Sequence, residues 1–216
     1  MAVLNNGING GFSGKVGTVY GYERFGKACI RGVRKTSAKN KTGSVKQQAS
    51  RIKFNKAQDF LAYILDFVRI GFNIESKKRQ MTAHNLAKSY LLNSGFDQDG
   101  MLDCSKVVVS AGTMMGATDP AVLMDDVGFH VTWDTEVYGE QERKSDQVML
   151  LAYLPGTTYQ NIITSGAKRK VGNETLAMHT SCHGKTFHIW IAFIAEDRQS
   201  ISDSQYLGAH RFGTSD

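Results

Sequence analysis

Between Lys185 and Glu196 the chain carries a segment that is apolar on both faces of a strand. Phe187, Ile189, Ile191 and Phe193 alternate there with Trp190, Ala192 and Ile194. Successive strand side chains point to opposite faces, so such a segment has no side left for water. It predicts a strand buried on both faces or one that meets another surface. Seven further segments share strand character: 106–110, 127–133, 147–154, 159–164, 168–171, 174–180 and 202–207. Gly, Pro, Asp and Asn turns separate them at short intervals, and that spacing predicts an antiparallel β-sandwich.

The first half has a different character. From Gly10 to Arg31 glycine recurs among β-formers, and Thr18–Tyr22 and Lys27–Val33 read as two strands joined by a turn near Arg24–Gly26. Residues 5–17, rich in Gly, Asn and Ser, read as a flexible lead-in. A hairpin alone is marginal in water, so this one needs another surface. After a basic, polar linker, Ser44 is placed to cap a long helix running through Val45, Ile52, Phe60, Ile64 and Val68, with Gly71 as its stop. Thr82 is placed to cap a second helix, with Met81 stapled on Leu86 and Gly95 closing it. The reading is an α+β chain: a basic β-hairpin and helical unit over 1–97, then a β-sandwich domain over 98–216.

Length and composition allow this. With 216 residues, 41% hydrophobic content and only two prolines, the chain can bury a real core. Three widely spaced cysteines (Cys29, Cys104, Cys182) make no disulfide framework and suit a reducing compartment. The first residues lack a basic-then-apolar signal, and no apolar run reaches the roughly 20 residues of a membrane helix. Synthesis in the cytoplasm without membrane insertion is expected, with the final location open among the cytoplasm, a virion-like particle and export.

Charge is unevenly distributed. Residues 1–100 hold 17 Lys/Arg against 6 Asp/Glu, and residues 101–216 hold 9 against 14. Such a split predicts different partners for the two halves, or one half meeting the other half of a second copy.

The motifs that usually carry chemistry are absent or incomplete. Gly14-Lys15 imitates a phosphate-binding loop, but Asn9 stands where its first glycine belongs and Val16 where Ser or Thr belongs. Ser13 is followed directly by Gly14, which breaks the nucleophile-elbow pattern. His179, Cys182 and His183 are the candidate metal ligands, yet their spacing fits no zinc finger and the stretch reads as strand, turn and strand around Gly184. Asp125, Asp126 and Asp197 read as turn residues, since acid–base work needs a defined separation in a cleft. No catalytic residue, cofactor or small-molecule substrate is indicated, and the expectation is a non-enzymatic protein.

What remains is the basic arm. Lys15 to Lys56 holds 12 Lys/Arg and one acid, Glu23, interleaved with Tyr20, Tyr22, Phe25 and Phe54. One use of such an arm is assembly, with Gly14, Val16, Val19, Tyr20 and Tyr22 at a subunit contact and Arg31, Arg34 and Lys35 facing acidic turns such as Asp125 and Asp126. A homo-oligomer then follows, in the form of a filament, a shell or a phage-like particle. The alternative is sequence-neutral nucleic-acid binding through Lys15, Arg24, Lys27, Lys39, Lys41 and Arg51, because cations with aromatics can contact phosphates and stack on bases.

Several motifs carry a family resemblance. They are Gly11-Phe12-Ser13-Gly14-Lys15-Val16-Gly17-Thr18-Val19-x-Gly21-Tyr22, Arg51-x-Lys53-Phe54, Met81-Thr82-x-x-Asn85-x-Ala87, Ser110-x-Gly112 and Ser202-Asp203-Ser204-Gln205-Tyr206-Leu207-Gly208. With these the chain resembles a family of uncharacterised proteins widespread in Bacteroidota genomes, catalogued as a domain of unknown function. One departure is Gly10-Gly11-Phe12, where Gly-Pro-Phe is expected. The resemblance implies a hairpin–helix unit followed by an immunoglobulin- or fibronectin-like sandwich, and it implies no activity.

Overall fold

The computed structural model describes residues 2–4, 10–33, 43–136 and 141–213. Its contacts divide the chain into a unit over 1–48 and a larger one over 49–216.

The first unit is a four-stranded antiparallel meander of β1 (Val3–Leu4), β2 (Phe12–Val16), β3 (Val19–Arg24) and β4 (Lys27–Gly32), in that order. The predicted hairpin is β3–β4, turning through Phe25 and Gly26, both at positive φ. Residues 5–9 of the expected flexible lead-in lie outside the described residues, and Phe12–Val16 of it is a strand, β2, that pairs with β3 from Gly14↔Gly21 to Val16↔Val19. Two glycines explain why: Gly17, at φ +54, makes the turn, and a Cβ on Gly21 would strike the ring and carbonyl of Phe12. Ser44 caps the next helix as expected, accepting from the Gln47 amide at 3.3 Å while the Gln47 side chain accepts from the Ser44 amide at 3.0 Å.

In the larger unit, α1 (Val45–Tyr63), entering from the first, is followed by α2 (Leu65–Gly71), α3 (Asn73–Lys78) and α4 (Ala83–Ser94). The predicted long helix is thus interrupted at Ile64, and Gly71 is not its stop, because the chain continues through Phe72 into α3. Gly71 serves a close approach instead: a Cβ there would lie 2.5 Å from the Val109 carbonyl oxygen. Thr82 caps α4 as expected, accepting from the Asn85 amide at 3.2 Å, and Gly95 follows its last turn.

The remaining strands are β5 (Ala121–Met124), β6 (Gly128–Thr132), β7 (Gln147–Tyr153), β8 (Gln160–Ile163), β9 (Asn173–Ala177), β10 (Thr186–Ile194) and β11 (Gln205–Arg211). They form two antiparallel sheets, β5-β6-β9 and β11-β10-β7-β8. The two-faced segment is β10, inside the four-stranded sheet and paired with β7 and β11. Phe187, Ile189, Ile191 and Phe193 pack with Phe129, Val131 and Leu176 of the three-stranded sheet. Trp190, Ala192 and Ile194, with Met149, Leu151 and Tyr153 of β7, pack with Phe60, Phe67, Leu86 and Leu91 of the helices. The helices therefore form a layer on this sheet, and a division after residue 97 would cut through one core.

Three predicted strands differ. Residues 107–110 join no sheet: the Val109 and Ser110 amides donate to the Ser204 side chain, so burial of Val107 and Val109 supplied the apolar pattern. Residues 169–171 form a 3₁₀ turn around the buried Arg169. The last strand starts at Gln205 and runs to Arg211, while the Ser202 and Ser204 amides donate to the Phe193 and Ser110 carbonyls. Strand β5 went unread because its side chains are largely exposed and lack alternation.

Candidate functional site

The N-terminal sheet gathers several expected contact residues. Register places Lys15 opposite Tyr20, and Tyr20 opposite Arg31, on one face. The Arg31 guanidinium lies 5.8 Å from the Tyr20 ring centre and 5.9 Å from that of Tyr22. With Ser13, Gly14 and Gly21 these side chains line a groove of about 490 Å³. Gly14 is at φ +112, which only glycine adopts easily. The Val16–Val19 and Gly21–Ile30 pairs lie on the opposite face, where Val16 is 50% and Ile30 66% exposed. Arg24 stands over Phe25, opposite Lys27, and Arg51 is on exposed α1 surface. Arg34, Lys35, Lys39 and Lys41 lie outside the described residues.

The proposed acidic partners are turn residues. Asp125 accepts from the Val127 and Gly128 amides at 2.8 and 3.0 Å and lies 2.7 Å from His130 Nε2. The Gly128 amide, then His130, hold its carboxyl below the usual carboxylate range. Asp126 is an exposed neighbour in the same turn.

The His/Cys stretch has structural partners. His179 caps a 3₁₀ turn, accepting from the Ser181 amide at 3.2 Å; Cys182 is buried; His183 meets Phe212 edge-on at 4.7 Å. Among the described residues no group of three or more His, Cys, Asp or Glu is placed to hold a metal ion, and no helix is long and apolar enough to cross a membrane.

A larger concavity of about 690 Å³ lies within the second unit. Lys56, Asp59, Phe60 and Tyr63 of α1 line it, with the 97–105 loop, Tyr153 at the end of β7, His188 of β10 and Tyr206 of β11. Tyr63 and Tyr153 lie almost parallel at 6.5 Å, and Phe60 meets Tyr153 edge-on at 5.1 Å. His188 Nδ1 is 2.6 Å from the Tyr206 hydroxyl. Burial pushes the Tyr153 and Tyr206 hydroxyls up and the Cys104 thiol up to about 11. Sequence reasoning missed this site because its members come from five separated segments. The signal available was the Asp59/Phe60/Tyr63 spacing, which puts an acid and two rings on neighbouring turns of α1.

Burial also holds the His188 imidazole below its ordinary value of 6.5. The unfolded chain then binds a proton near pH 6.5 that the native state refuses until lower pH, so stability present above this value is lost as pH falls through it. His84, lowered by burial and then by Lys88, acts in the same direction. Denaturant titrations at pH 7.5 and 5.5 should show a lower midpoint at pH 5.5, and His188→Gln should reduce the difference. An unchanged difference in that variant would remove His188 as its source.

The closing motif acts as a clasp. Ser202 Oγ accepts from the Phe193 amide at 2.8 Å, Asp203 from the Gly112 amide at 2.9 Å, and Ser204 from the Val109 amide at 2.9 Å. The Gln205 side chain bonds the amide and carbonyl of Ala117 at 2.6 and 3.0 Å. These bonds tie the 107–117 segment down and leave Tyr206 at the groove. A family model described as a family of unknown function (DUF6266) matches residues 11–208, and the chain belongs to that family. No curated protein matches it.

Proposed function

We propose, with membership of the DUF6266 family as the premise, that the chain is a non-enzymatic structural or interaction protein that self-associates through its N-terminal sheet. A filament, a shell or a phage-like particle is the form such an assembly takes. One observation carries this reading: none of the apolar side chains described in the four-stranded sheet is buried, while Val16, Ile30, Tyr20, Tyr22 and Phe25 are exposed. A sheet that small needs a covered face for stability. Strand β4 is an edge of that sheet, and an edge strand is a template for pairing with another chain. The excess of basic residues in the first half and of acidic residues in the second favours contact between unlike halves of two copies.

The order β5-β6-β9 against β11-β10-β7-β8 supports reading the two sheets as an immunoglobulin- or fibronectin-like sandwich. In the lettering of such domains it corresponds to A-B-E against G-F-C-C′. That fold hosts many interaction modules and assigns no activity by itself.

The test is the mass of the full chain by light scattering. A multimer is expected for the unaltered protein, and the double substitution Val16→Lys/Ile30→Glu should reduce it to a monomer. Equal masses for both proteins would refute the sheet as the contact. The Tyr20–Arg31–Tyr22 stack beside Lys15 favours a second reading, nucleic-acid binding by that face. Its affinity would fall steeply between low and moderate salt, and the absence of a gel shift at low salt would dismiss it.

A further inference from the structure

The 690 Å³ concavity of the second unit has the size of a ligand site, within the range of roughly 300–1,000 Å³. Its walls are aromatic: Phe60, Tyr63, Tyr153 and Tyr206, with the His188 ring 5.8 Å from Tyr206 and nearly parallel to it. Its charged groups are three carboxylates, Asp59, Asp97 and Asp103, against one ammonium, Lys56. Three of those four are already engaged. Lys56 donates to the Gly100 carbonyl at 3.0 Å, Asp97 accepts from the Met101 amide at 2.7 Å, and Asp103 holds Lys106 at 2.8 Å. Asp59 has no hydrogen bond or ion pair among the described residues, and it sits on α1 directly before Phe60 and one turn before Tyr63.

We propose that this groove binds an organic cation, an ammonium or guanidinium head, between the tyrosine faces and the Asp59 carboxylate. Aromatic faces attract cations through their quadrupole, most strongly where water is excluded. An anion would meet the three carboxylates, and a purely apolar ligand would cover Asp59 without giving its carboxylate a partner. His188, kept neutral by burial at pH 7, adds no opposing charge. The cation has two sources, a free small amine or a Lys or Arg side chain of another protein molecule. A second copy of this chain is rich in such side chains, with 17 Lys/Arg in residues 1–100.

Isothermal titration of the full chain tests this, with tetramethylammonium chloride in one arm, N-acetyl-arginine amide in the other, and sodium chloride at equal ionic strength as the blank. Saturable heat above the blank is expected in at least one arm, with affinity reduced about tenfold in Asp59→Asn and in Tyr63→Ala, a loss equal to about 1.4 kcal/mol. Asp59 is exposed, so its variant should keep the fold and isolate the carboxylate. Saturation in the arginine arm alone points to a protein side chain as the source, and saturation in the tetramethylammonium arm alone points to a small amine. No heat above the blank in either arm, or equal affinity in Asp59→Asn, would overturn the proposal. Repeating the titration with Val16→Lys/Ile30→Glu separates this site from self-association, since the groove should bind unchanged there.

Discussion

Arg169→Met is expected to destabilise the 49–216 unit by about 3–5 kcal/mol, the usual cost of breaking a buried pair from one side. Arg169 is 1% and Asp146 3% exposed, with Nε 3.6 Å from Oδ2. The guanidinium lies 3.7 Å over the Phe193 ring and donates to the Met115 and Gly116 carbonyls at 2.8 and 2.7 Å. Methionine keeps much of the bulk but removes the cation, leaving the Asp146 carboxylate in a low-dielectric interior. The double variant Arg169→Met/Asp146→Leu should recover a large part of the loss, because neither charge then needs a partner. Denaturant unfolding of the three proteins checks this. A single variant within about 1 kcal/mol of the parent, the range of an exposed pair, would show that the pair is not holding the 114–117 segment to the two sheets.

A chain cut to residues 98–216 should fail to fold, whereas one cut to 49–216 should fold cooperatively. Removing the helices uncovers Met149, Leu151, Tyr153, Trp190, Ala192 and Ile194 on one face of the four-stranded sheet. Burial of a large apolar side chain stabilises by about 1.5–3 kcal/mol. Exposing this set therefore costs on the order of the whole stability of a domain, about 5–15 kcal/mol. Near-ultraviolet circular dichroism and the sharpness of the unfolding transition distinguish the outcomes. A native-like 98–216 fragment would mean that the helices form an independent domain.

The sequence was most legible where one strong local rule applied. The alternation across Phe187–Ile194 marked a strand covered on both sides, and Ser44 and Thr82 marked helix starts through their side-chain oxygens. It misled where an apolar pattern came from burial without a ladder, as at Val107 and Val109, or where a glycine had a spatial reason, as at Gly71. Among the expected contact residues, Gly14, Tyr20, Tyr22 and Arg31 line one groove because they are neighbours across one hairpin and its adjoining strand. The residues of the aromatic groove were not, because Asp59, Asp97, Tyr153, His188 and Tyr206 are brought together only by folding.

Local sequence thus determined most of the antiparallel strands of the second half, the capped helix starts and the cationic hairpin at the front, since alternation, capping and turn formation act over a few residues. Tertiary structure decided what covers each face of β10, that a buried arginine would pair with Asp146, and that three carboxylates and four phenyl or phenol rings would share one groove. Those outcomes depend on contacts between residues far apart in the chain, and no spacing along one segment encodes which distant surface will exclude water from it.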